Sequence, residues 1–431
     1  MTMCVRRLWW LAGIIAVSGL LVSCGRSVNG NGAGPDTGDR GPITYVQGKD
    51  NTGVLKTIIA QWNSLHPDEK VTLKEQSDNA DEQHDDLVQH FRAKDPGYDV
   101  VGVDVIWTPE FAAQRWLEPL TGAFAVDTGP LLPASVEAAS YRGTLYAAPG
   151  TTDGGMLYYR TDLVPKPPTT WAELTADCRI ARAHHIGCYA GQFAPYEGLT
   201  VNVSEAIYSA GGTILTPDGS RADVDTPHAA KGLSFLVDGF RTGDIPKEAL
   251  TFQEEQGRKA FEAGQLLFLR NWSYVYNLAA NDPTSRVKGK FAVTREPGPS
   301  GPGVSTLGGH SLGLSVYSKH KATALDFMKF YESPQIQREL LVKGAYAPVL
   351  KSLYTDPKLL ADPALGYLRT LGESLATART RPATPFYPGV TSAVQENAFA
   401  ALKGNLSVAQ ALTYMQAQIN SALHGYQGAS K

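Results

Sequence analysis

From Ile43 to Trp107 the chain alternates β-rich runs with helical apolar spacings, and this alternation restricts the fold more than any other feature. "ITYVQG" (43–48), "VTLKEQ" (71–76) and the apolar run in "YDVVGVDVIW" (98–107) read as strands. Between them, 52–67 sets Leu55, Ile58, Ile59 and Trp62 on one helical face and stops at Pro67, while 81–96 turns Leu87, Val88 and Phe91 inward. Strand–helix–strand–helix–strand in this order implies a parallel sheet with helices on both faces.

A second α/β unit follows. "LYAAPGTTDGGMLYYRTDLV" (145–164) reads as two extended pieces joined at a Gly-rich crossing. Helices are expected over 169–185, begun by Thr, over 199–212, ended by glycines, and over roughly 226–242 and 254–263. A strand returns at 311–320, one long helical stretch covers 320–343, and 352–431 is mostly helical with a break at 379–389. Two parallel-sheet units imply two lobes. Ligands of such sheets sit beyond the carboxyl ends of the strands, so a cleft between facing lobes is the expected site. The chain should cross between lobes, and hinge, near 149–154, 305–311 and 344–352.

The N-terminus reads as an address. Arg6 and Arg7 precede "LWWLAGIIAVSGLLV" (8–22), about fifteen mostly apolar residues, short for a membrane span of roughly 20. "LVSCG" (21–25) resembles the bacterial lipobox, which implies cleavage after residue 23 and a diacylglycerol on Cys24. An ordinary signal peptide or an uncleaved anchor are the alternatives. Residues 24–42 then form a Gly-rich tether spanning roughly 25 Å. A formal net charge of −3, with no long basic run, argues against nucleic acid as a partner. Cys178 and Cys188 flank a helix end, and in an exported protein they read as a disulfide rather than a metal site. His184 and His185 between them point about 100° apart on a helix and read as surface residues.

The lipobox, "DVIWTPEFA" (104–112), the 145–164 segment, "FEAGQLLFLRNWSYVY" (261–276), "GGHSLGLSVYSKHKATALDFMKF" (308–330) and "RPATPFYPGV" (381–390) occur in order across the chain. Together they resemble the sugar-binding lipoproteins of ATP-driven importers, the maltose/trehalose type of actinobacteria, and most closely the trehalose-binding subgroup. The resemblance implies a two-lobed, periplasmic-binding-protein-like α/β fold of class II, with a mainly parallel sheet in each lobe. It implies one lobe from 43–150 plus 308–348 and another from 151–307 plus 349–431.

A sugar ring has apolar C–H faces and hydroxyl edges, so its site needs a flat aromatic beside carboxylates, amides and arginine. In "NWSYVY" (271–276) Trp272 is the candidate platform, Tyr276 one turn on is expected on the same side, and Tyr274 in the core. An aromatic cluster after a strand fits core packing as well; the resemblance implies that this Trp lines the sugar site. Asp104 ends a buried strand, where a carboxylate is costly without partners. Asp153 lies in the crossing, where the family often has Asn, so it keeps an acceptor and loses a donor. Glu254, eighteen residues before Trp272, matches a family glutamate, although Glu255 is adjacent. Arg381 matches a family arginine placed over the sugar. Weaker candidates are Asp50, Asn51 and Asp78 after the first two strands, the backbone of Gly308 and Gly309, and Tyr196 and Glu197 at a rim. "EPGPSGPG" (296–303) lacks the Lys-Ser/Thr of a phosphate loop and reads as surface.

The expected function is that of a monomeric, lipid-anchored receptor on the outer face of the cytoplasmic membrane. It would bind a neutral disaccharide, most closely trehalose, without turnover, cofactor or metal, and deliver it to an importer's membrane permease. A surface glycoside hydrolase and a sensor or adhesin on the same fold are the rival expectations.

Overall fold

The computed structural model describes residues 39–424. The expected signal peptide, Cys24 and most of the tether lie outside the described residues. In chain order the strands are β1 (Ile43–Gln47), β2 (Val71–Glu75), β3 (Val100–Asp104), the hairpin β4 and β5 (Ser140–Tyr141, Thr144–Leu145) and β6 (Ala147–Pro149). They continue as β7 (Asp153–Gly154), β8 (Met156–Arg160), β9 (Gly187–Ala190), β10 (Leu266–Asn271), β11 (Phe291–Arg295), β12 (Leu307–Gly308) and β13 (His310–Leu314).

The fold is two-lobed α/β. One sheet has the order β2-β1-β3-β13-β6 and the other β11-β8-β10-β9. β1 pairs in parallel with β2 and β3, as the alternation requires. Each sheet also holds one reversed strand: β13 is antiparallel to β3 and β6, and β8 is antiparallel to β10 and β11. The crossings explain both. After β6 the chain passes through β7 and enters the second sheet from the cleft side, as β8. β12 returns it into β13 in the same way. β7 and β12 pair with each other, Asp153 opposite Gly308, so two crossings make one ribbon. Thr152 bridges to Ala347, which ties in the third.

The first sheet is covered on both faces. The two-residue period of a strand sends Tyr45 and Val100 to a cluster with Ile58, Trp62, Phe327 and Leu340. It sends Val46 and Val101 to the opposite cluster, with Leu87, Phe91, Phe111 and Trp116. The second lobe has a larger core around Leu267, Phe268, Ile207 and Leu233. Segments far along the chain join these clusters. Leu341, Ala345 and Ala347 belong to this larger core, while Tyr387 packs with Val46 and Trp107.

The stretch 320–343 is two helices, Lys321–Glu332 and Pro334–Gly344, because Pro334 offers no backbone donor to continue the first. A disulfide joins Cys178 on the helix Trp171–Ala183 to Cys188 on β9, and His184 and His185 are exposed beside it. The end of the expected tether is held by the body. Arg40 Nη2 donates to Asp326 at 2.6 Å and Glu69 at 2.9 Å, and Gly41 N donates to Thr323 Oγ1 at 3.2 Å. Among the described residues, no helix is long and apolar enough to cross a membrane.

Candidate functional site

A cavity of about 210 Å³ opens where the carboxyl ends of β1 and β3 face the end of β10. At roughly 10–15 Å³ per water it has room for a small molecule rather than a single ion. Gln47, Asp78 and Asp104 border it from the first lobe, Glu254 and Trp272 from the second, and Thr151–Asp153 with Gly308–His310 from the crossings.

Trp272 follows β10 directly and precedes the helix Tyr274–Asn281. Its backbone is fixed, because its N–H donates to Asn271 Oδ1 at 2.8 Å and its carbonyl accepts from Tyr158 OH at 2.7 Å. The guanidinium of Arg270 lies 4.0 Å from the centre of the indole, and that arginine is fully buried against Glu205. The indole is half-buried and borders the cavity. Position 308 must be glycine for this placement, since a Cβ there would stand 2.8 Å from the indole Cζ3. Gly309 has φ +109°, and a Cβ on it would stand 2.4 Å from Thr151 O, so the ribbon too needs glycine here.

The two tyrosines exchange their expected places. Tyr274 borders the cavity and donates to Glu255 at 2.8 Å. Tyr276 instead packs on Phe291 and Tyr367. The helix begins only at Tyr274, so helical spacing counted from Trp272 does not apply.

The carboxylates divide by partner. Asn271 Nδ2 donates to Glu254 O at 3.0 Å, which sets the start of the helix Glu254–Glu262 beside the indole. Glu254 Oε2 accepts from Tyr196 OH at 2.7 Å, and burial raises its pKa. Glu255 also borders the cavity, but Arg258 Nη2 holds it at 2.6 Å. Asp153 is buried and accepts from Gly154 N at 2.9 Å, Ser273 Oγ at 3.1 Å and Ser273 N at 3.4 Å.

Asp104 meets Arg381 Nη2 at 3.1 Å, and Arg381 Nη1 reaches Glu197. Burial disfavours the arginine's charge, yet Asp104, Tyr387 and Glu197 together raise its pKa. Glu197 further accepts from Tyr387 OH and from Thr391 Oγ1, the latter at 2.7 Å. Its expected rim position is thus a buried one. Arg381 Nε is buried without a partner in a residue that borders the cavity. On the same side, Glu197 N donates to Asp81 Oδ1 at 3.1 Å and Gln395 Nε2 to Asp81 Oδ2 at 3.2 Å.

Asn51 and Asp78 border the cavity and bond each other at 3.2 Å. Asp50 does not border it. Its oxygens accept from Thr52 N, Leu55 N and Tyr346 OH at 2.8–2.9 Å, so it caps the helix Val54–Leu65 instead. Sequence reasoning missed Tyr346, Tyr331 and His310, which also border the cavity. The β13–β3 pairing sets His310 opposite Asp104 at the end of β3, a long-range relation that no local signal gives.

This arrangement offers the indole face beside several tyrosine rings, a set of acceptors, the guanidinium edge of Arg381 and backbone groups. It suits a neutral molecule rich in hydroxyls.

The model for bacterial extracellular solute-binding proteins matches residues 48–338. A probable ABC transporter-binding protein of Deinococcus radiodurans is 32% identical over 348 residues, 77% of this chain and 81% of that protein. The maltotriose-binding protein of Pyrococcus abyssi is 22% identical over 353 residues, 79% and 73% of the two chains. The maltose-bound T. maritima MalE3 structure superposes with a TM-score of 0.83 at 32% identity, covering 88% of this chain and 98% of that one. On the family match and the Deinococcus relative together, the chain belongs to the bacterial extracellular solute-binding proteins.

Proposed function

We propose that this protein binds a neutral disaccharide in the inter-lobe cleft and delivers it, without turnover, to the permease of an ABC importer. In this reading Trp272 carries a sugar ring on its exposed face. Glu254, Asp78, Asn51 and Asp104 meet hydroxyl edges, and Arg381 Nε donates to the ligand. The observation that carries it is the indole: half-buried, backed by a guanidinium and fitted over a glycine, it borders a cavity whose wall also holds carboxylates, amides and the Arg381 guanidinium. Maltose, held by the T. maritima neighbour, and trehalose, implied by the sequence resemblance, are the first two ligands to test.

The lobes in this reading are 43–150 plus 308–348 and 151–307 plus 349–431, hinged on the β7–β12 ribbon. Cys24 carries the lipid that holds the protein to the outer face of the membrane. Ligand energy holds the lobes shut, and the permease distinguishes shut from open.

A thermal-shift screen against trehalose, maltose, maltotriose and sucrose tests the reading. Ligand at about 100 times its Kd adds roughly 2.7 kcal/mol to stability. No shift with any of the four sugars overturns the reading.

A further inference from the structure

Building on the cleft as a sugar site, we propose that Asp153 enters the ligand complex as a neutral acid. It donates a hydrogen bond to a ligand hydroxyl, and sugar binding takes up a proton from solvent.

Asp104 faces the guanidinium of Arg381 and Glu255 that of Arg258. Asp153, equally buried and bordering the cavity, accepts among the described residues from neutral donors: the amides of Gly154 and Ser273 and the Ser273 hydroxyl. The guanidinium of Arg270, whose charge bears on it, is tied to Glu205. The other groups whose charge bears on it are Tyr158 from β8, Tyr354, and Tyr367. Burial raises the pKa of each of these phenols, so they stay neutral. Glu254 shares the cavity as a second carboxyl, and burial lowers the pKa of His310 there.

A carboxylate in this position has lost water and makes no ion pair, which favours the acid; the Gly154 and Ser273 donors and the charge of Arg270 oppose this and only partly offset it. Burial pushes Asp153 up to about 7 before any ligand is present. A neutral sugar closing over it would remove the remaining solvent and bring no charge. A sugar hydroxyl accepts as readily as it donates, so it can meet the acid's O–H. The proton that completes the acid comes from the buffer and stays on an Asp153 oxygen while the sugar is bound.

Calorimetry with maltose and trehalose tests this, in buffers of different ionisation enthalpy and from about pH 6 to about pH 8. Near pH 7 the expected uptake is roughly half a proton per sugar bound, with affinity ~10-fold weaker at about pH 8 than at about pH 6. D153N, which carries a permanent donor, is expected to bind with an affinity that does not change across that range. Binding without proton uptake, or a pH dependence that survives in D153N, overturns the proposal and leaves the sugar reading standing. Where D153N does not fold, the wild-type proton count alone decides. Absence of binding heat with either sugar removes the disaccharide reading and this proposal with it.

Discussion

Arg381 Nη2 stands 3.1 Å from Asp104 Oδ1, joining the end of β3 to a loop 277 residues further along the chain. Arg381 is 2% exposed, and its Asp104 and Glu197 partners are largely buried with it at the cavity wall. Removing the guanidinium strands two carboxylates, a loss of about 3–5 kcal/mol. R381A is therefore expected to lower the denaturation midpoint sharply and to weaken sugar binding, measured by urea unfolding and calorimetry. An R381A protein as stable as the wild type would show that the pair contributes nothing.

Gly308 and Trp272 give a second prediction. The Cβ of G308A would press into the indole at 2.8 Å, and Asp153 Cβ lies 3.4 Å away on the other side. Overpacking of this kind costs about 1–3 kcal/mol. The ring should shift, and sugar affinity should fall ~10-fold, read by titration of the variant. An unchanged affinity would mean that the ring position is not set here.

The Cys178–Cys188 bond closes a loop with a sequence separation of 10. Loop-closure entropy for that length amounts to ~3 kcal/mol. Replacing both cysteines with serine is expected to cost about that much stability, measured by denaturant unfolding, while leaving the cleft's affinity unchanged.

Glu296 provides a pH test away from the cleft. It is buried, its Oε1 lacks a partner, and burial, then the neighbouring Glu205, pushes it up to about 8. An acid whose folded pKa exceeds its unfolded one is held as a proton-bearing group by the fold. Stability therefore falls as pH rises from the ordinary glutamate value to about 8. E296Q has no proton to lose. Between about pH 6 and about pH 9 it should lose roughly 1–3 kcal/mol less than the wild type. Parallel pH profiles would contradict this.

Most of the architecture was legible because it rests on local period. The β1-to-β3 alternation, the Thr170 cap and Pro67 all act within a few residues. What was not legible depends on distance or on a one-residue boundary. Nothing local pairs Arg381 with Asp104, and nothing local brings Tyr346 to Asp50. Tyr274 and Tyr276 changed places because the helix begins two residues after the tryptophan. The 296–303 loop read as surface from its Gly and Pro content, yet its first side chain turns into the second lobe.

Whether a sugar ring rests on the Trp272 indole is decided by calorimetry of maltose and trehalose against wild type and W272A. Saturable binding to the wild type with no glucose released, and at least ~10-fold weaker binding to W272A, are expected. Equal affinity in the two proteins, or release of glucose during the titration, would contradict this.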